Sequence, residues 1–169
     1  LVLAGVYLEQ LDLFFEHGKP TALGAASGAV AGLVSITPAA GFVSPISAMF
    51  IGAVGGMLCY KACNLKASFG YDDSLDVVGV HGIGGTWGAL ATGLFASKAI
   101  NPAGNDGLFY GNPAQLGVQA VSVVATIVFA LGVTFIILSI LKATMGLRVS
   151  EEEERMGLDL TQHNERGYA

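Results

Sequence analysis

His81 is the one ionisable side chain in the charge-free stretch Val77 to Ser97. An imidazole can accept a hydrogen bond at one ring nitrogen and donate at the other, and it titrates near neutrality. Such a group suits proton exchange with a small polar solute, and it equally suits a hydrogen-bonded tie between packed helices. Both readings stay open on the residue alone. Val77, Gly84, Gly85 and Gly88 stand at i−4, i+3, i+4 and i+7 from it, positions that share one face of a regular helix. The ring is therefore expected on a small, apolar face, where desolvation favours the uncharged form. Asp72, Asp73 and Asp76 precede the stretch, where carboxylates cap free N–H groups and suit the helix dipole.

Other constellations promise less chemistry. Cys59 and Cys63 are one helical turn apart without metal-ligand company, and read as packing or lipid-side residues. His17 falls in a loop and His163 near the end of the chain, so neither a metal site nor a cofactor is expected. The run GIGGTWG (82–88) misses the dinucleotide-loop spacing and follows no predicted strand, and HExxH and GxSxG are absent, so no enzyme is expected. The net charge of −5 resides mostly in the tail and at Asp72 to Asp76, and no nucleic-acid partner is expected.

The elements that must hold His81 are membrane helices. Of 169 residues 53% are hydrophobic and 12% charged, about half the charged fraction of a soluble domain. Thr21 to Tyr60, Val77 to Ser97 and Gly107 to Leu141 contain no Asp, Glu, Lys or Arg. A crossing needs about 20 such residues, so the first stretch holds two spans and the others one each. Leu1 to Leu8, ending at Glu9 and Asp12, reads as the tail of a helix whose beginning is absent. Gly18-Lys19-Pro20 ends it, and Thr37-Pro38 interrupts the next helix at Ile36. Ser44-Pro45 starts another, expected to end near Asn64 in a polar segment with Lys61 and Lys66. A Gly-, Asn- and Pro-rich loop, Asn101 to Pro113, leads to the longest span, Pro113 to Leu141, about 43 Å at ~1.5 Å per residue.

If the helices alternate, Lys19, Lys61, Lys66, Lys142, Arg148, Arg155 and Arg166 fall on one side and only Lys98 on the other. The positive-inside rule then makes the tail cytoplasmic. Residues 1–146 form a transmembrane domain and 147–169 a soluble tail whose run Glu151 to Glu154 is either a solvated helix start or a docking element. Glycine recurs every four residues at Gly24, Gly28 and Gly32, at Gly52 and Gly56, and at Gly84 and Gly88. Small residues at that spacing let membrane helices approach closely.

Three stretches carry a resemblance. DDSLDVVGVHGIGGTWG (72–88) is similar to the segment bearing the second pore histidine of bacterial ammonium transporters, of the Amt/Mep/Rh class. GAVAGLVSITPAAGFV (28–43) resembles an earlier helix of that family, and GLRVSEEEERMGLDLTQH (146–163) its cytoplasmic tail. The resemblance implies an all-α membrane fold of eleven helices, two inverted five-helix repeats and a final long helix, assembled as a homotrimer with one pore per subunit. This chain would supply the end of one helix, the four after it and the tail.

Carried over position by position, the resemblance makes His81 the histidine of the second repeat and Asp73, eight residues earlier, its helix-entry aspartate. Val77 and Thr37 lie against the pore wall, and Asp76, Gly84, Gly85 and Gly88 support the pore helix. The partner histidine, the outer aromatic gate and the recruitment serine belong to the half not present here. The implied substrate is ammonium or ammonia, crossing the cell membrane. In the tail, Gly146, Arg148, Glu151, Glu152, Arg155, Gly157 and Asp159 match a surface that couples subunits and docks PII-type signal proteins, while Met156 and Asn164 replace an expected glutamate and glycine. A sensor or Rh-like gas channel on the same scaffold, and an inactive truncated product, are the alternatives.

Overall fold

A computed structural model describes Lys19 and residues 21–167, all helix, turn or loop. The expected helix remnant Leu1 to Leu8, with Glu9, Asp12 and His17, lies outside the described residues, as do Gly18 and Pro20. Two compact units divide the chain, one up to Ala125 and one from Thr126.

In the first unit, α1 is Ala22–Ile36, capped by Thr21, whose hydroxyl accepts the Gly24 N–H at 2.9 Å. Its buried face is small: Gly24, Gly28, Ala31, Gly32 and Ser35, ending at Ile36. Thr37–Ala39 continues it as one tight 3-10 turn where Pro38 stops α-helix propagation. Next comes α2, Pro45–Phe69, with Ser44 capping the Ser47 N–H and proline at the first helical position. It does not end near Asn64. Lys61 and Lys66 are helical, and the stop is Gly70, whose left-handed backbone at φ 66° caps α2 by bonding Lys66 O. Charge alone misplaces this boundary because a lysine at a membrane helix end extends its stem and keeps its ammonium in polar surroundings.

The Val77 to Ser97 segment is helical but irregular. Val78–Ile83 forms a π turn, α3 follows as Gly84–Phe95, and Ala96 caps it in extended conformation. Glycine lets these three helices touch. A Cβ on Gly55 of α2 would overlap the Ser35 hydroxyl, and one on Gly88 of α3 would overlap the Ser35 carbonyl oxygen. Ser35 is fully buried and its hydroxyl has no hydrogen-bond partner among the described residues. Beside this contact Trp87 Nε1 donates to Ile51 O at 2.9 Å, joining α3 to α2.

The loop after α3 contains a 3-10 turn, Leu108–Tyr110, and leads to α4, Pro113–Thr144. This helix is three residues longer than expected at its C-terminal end and has no buried residue, with apolar side chains on all sides. Among the described residues three single helical stretches, Ala22–Ala39, Pro45–Phe69 and Pro113–Thr144, are long and apolar enough to cross a bilayer. The expected fourth, Val77 to Ser97, is helical without a break from Val77 to Phe95, its π turn passing directly into α3.

In the second unit, Gly146 turns the chain at φ 80° and Arg148 pairs with Glu154 at 2.9 Å. Glu151–Met156 forms α5 and Leu158–Thr161 forms α6.

Candidate functional site

Asp73 begins the site. Its carboxylate accepts the N–H groups of Val77 at 2.9 Å and Val78 at 2.8 Å, occupying two donors that a first helical turn leaves without partners. These bonds, Val78 first, hold the carboxyl below its usual range, helped by the Lys66 ammonium. Asp76 acts differently from the expected cap. Its backbone is left-handed at φ 55°, its carbonyl accepts the Val80 N–H at 2.9 Å, and its carboxylate forms an ion pair with Lys66. Sequence reasoning missed Lys66 as a residue of this site. The signal for it is a lysine in the last turn of α2 followed, across a short turn, by the acidic cluster.

The π turn departs from the expected shared face. A π turn winds one residue more than an α turn, so i+3 and i+7 no longer stack. Gly84 and Gly88 are buried against α1 and α2, while His81 and Val77 are exposed and a Cβ on Gly85 would meet nothing. His81 is thus not enclosed by its own helix's glycines. It looks instead into an open cleft of about 400 Å³, lined among others by Ser27 of α1, Tyr60 and Cys63 of α2, and Asp76 and Val80. Cys59, buried beside it, donates to Val80 O at 3.5 Å and pins the turn from behind.

The remaining candidates are placed apart. Val77 adjoins the site without lining the cleft, and Thr37 sits at the end of α1 with its hydroxyl donating to Leu33 O at 2.7 Å. In the second unit Ser150 and Glu153 form a full capping box, and of the tail candidates Arg155 pairs with Glu151 at 3.6 Å and Asp159 accepts the Gly167 N–H at 3.1 Å. That bond is the first reason the Asp159 carboxyl lies below its usual range. Gly157 at φ 102° separates α5 from α6. Among the described residues no group of three His, Cys, Asp or Glu side chains is placed to hold a metal ion.

The arrangement offers one imidazole at the wall of a cleft with aliphatic, hydroxyl and thiol neighbours, and one neutralised carboxylate at its edge. That chemistry suits a small hydrogen-bonding solute. The profile of the Ammonium Transporter Family matches residues 3–168. The ammonium transporter of Bacillus subtilis is 56% identical over 151 residues, 89% of this chain and 37% of that protein. In structure, Saccharomyces cerevisiae Mep2 superposes with a TM-score of 0.84 at 35% identity, covering 89% of this chain and 35% of Mep2. A sensor Amt protein matches with a TM-score of 0.82 at 29% identity, covering 95% of this chain and 39% of its own. The chain spans little more than a third of the length of the relatives it matches. Matched over nearly all its residues and built of helices long and apolar enough for a bilayer, this membrane protein belongs to the Ammonium Transporter Family.

Proposed function

We propose that this chain forms part of the wall of an ammonium/ammonia path across the cell membrane, with His81 as one member of a pore histidine pair. The observation that carries this is His81 exposed at a cleft while Gly84 and Gly88 are packed away, so that the ring is presented rather than buried. Carrying an ammonium ion through hydrocarbon costs far more than carrying neutral ammonia, since an unpaired charge loses its solvation. A ring that accepts a proton-bearing donor on one side and donates on the other lets the substrate shed its proton and keep a hydrogen-bond partner. The second histidine comes from outside these residues.

In this reading residues 1–146 are membrane-embedded and 147–169 form a cytoplasmic tail, with Val77 and Thr37 along the path. The assembly is a homotrimer, and the tail surface from Gly146 to Asp159 meets a PII-type signal protein. The test is His81→Ala in a full-length protein containing this chain, measured by electrophysiology and by uptake of ammonium and methylammonium. Altered current and a changed ratio between the two substrates are expected, and wild-type values for both would sink the assignment. The likeness to a sensor Amt protein favours a second reading, ammonium sensing on the same scaffold. Growth on ammonium as sole nitrogen source separates them, since a pure sensor does not restore it.

A further inference from the structure

We propose that Lys66 is a positioning residue for His81, its ammonium tying the end of α2 to the acidic turn and so setting the winding of the π turn that carries the ring. The proposal rests on the pore reading of His81.

Lys66 Nζ donates to the Asp73 carbonyl oxygen at 2.7 Å and also bonds the Asp76 carboxylate. Those acceptors stand on either side of Ser74 and Leu75, so one cation closes the turn between them. Both aspartates then pass that constraint forward. The Asp73 carboxylate holds Val77 N and Val78 N, and the Asp76 carbonyl holds Val80 N. His81 is the next residue. Asp76 keeps a left-handed backbone that a residue with a Cβ holds only when its surroundings over-determine it, and the lysine supplies that surrounding contact. From the other side Gly79 lies against Cys63, one turn before Lys66 on α2, at a distance where a Cβ would meet the sulfur at 2.5 Å.

An ion pair with 25% and 40% of its side-chain surfaces exposed contributes little to stability. Its effect is therefore expected in the aim of His81 and not in whether the protein folds. Lysine fits because three donors on a compact ammonium serve two converging oxygens, where the planar guanidinium of arginine fits less well.

The experiment compares Lys66→Met, Lys66→Arg, His81→Ala and wild type in the full-length protein, scoring uptake per molecule in the membrane and the ratio of ammonium to methylammonium transport. Lys66→Met should lower uptake per molecule roughly tenfold and shift the ratio at unchanged protein amount, the kind of loss that misplacement of a working group produces. Lys66→Arg should recover part of both. Adding Asp76→Asn to Lys66→Met should cost nothing more, because the two act as one unit. A Lys66→Met protein with wild-type uptake and ratio overturns the proposal, as does one whose uptake falls only in step with its amount while the ratio holds. Wild-type behaviour of His81→Ala would remove the pore reading itself, so the two failures are told apart in one comparison.

Discussion

Asp73 before the π turn and the Ser150–Glu153 pair before α5 meet the same need, the unpaired N–H groups of a first helical turn. In the tail the solution is local: the Ser150 hydroxyl takes the Glu153 N–H at 3.3 Å and the Glu153 carboxylate takes the Ser150 N–H at 3.0 Å. A regular helix results. In the first unit one carboxylate takes two N–H groups, a lysine from α2 grips the same turn, and the helix that begins there is wound as π. Capping chemistry fixes that a helix starts. At the first of these two starts the added contact comes from Lys66 of α2, while at the second Gln162, just after α6, donates to the Glu153 carboxylate at 3.3 Å and the helix stays regular.

The largest expected effect breaks the packing behind the first start. Gly88→Leu drives a side chain into Ser35 O and Pro38, with a Cβ 2.9 Å from Pro38 Cδ, at or above the top of the roughly 1–3 kcal/mol range for overpacking. Little folded protein should elute on size exclusion in detergent, and a normal yield would mean the glycine contact is dispensable. Asp73→Asn keeps one acceptor oxygen and removes the charge, so transport per molecule should fall about tenfold, short of the roughly hundredfold that a misplacement of ~1 Å can reach. Undiminished uptake would show that the π turn does not need its cap.

Acid titration sharpens the comparison further. Both Asp73 and Glu153 lie below their ordinary values of 3.8 and 4.5, Asp73 mainly through Val78 N–H and Glu153 mainly through Ser150 N–H. A depressed carboxylate contributes stability that is whole above its ordinary value and is lost as pH falls through the folded one. Backbone amide signals of Ser150 and Val78 should hold steady from about pH 7 to pH 5 and move only below the two ordinary values. Movement of Val78 in the neutral range would contradict the assigned bond. The smallest effect belongs to Ser150→Ala, which should loosen α5 by about 1 kcal/mol, seen as faster amide exchange at Glu153 and Glu154 with the Val77 and Val78 amides unmoved.

Sequence reading reached the membrane helices, the capping carboxylate at Asp73, the close-packed glycines and the singularity of His81, because each rests on residue type and spacing along one segment. It misjudged the end of α2, where Lys61 and Lys66 looked like a break although their long stems allow the helix to continue to Phe69. It placed His81 on the face of Gly84 and Gly88 by assuming 3.6 residues per turn. The π turn that separates them depends on Lys66, Cys59 and Cys63, which belong to another helix. It also took Asp76 for a cap, since nothing along the chain announces a left-handed backbone at an aspartate. Local chemistry is legible in one dimension, and the constraints a partner helix imposes are not.

The wide turn at Val78–Ile83 gives chain length a meaning there that it lacks elsewhere. Each residue of an α-helix advances about 100° around the axis, so losing a single residue from this turn would leave a straight helix and swing the imidazole by about that angle relative to the glycines after it. The same deletion in the loop between Asn101 and Asn112 would instead unseat Gly104 from Phe42 and Gly107 from the Gly93 and Leu94 carbonyls. An indel of one codon is thus a change of aim at the first position and a change of packing at the second.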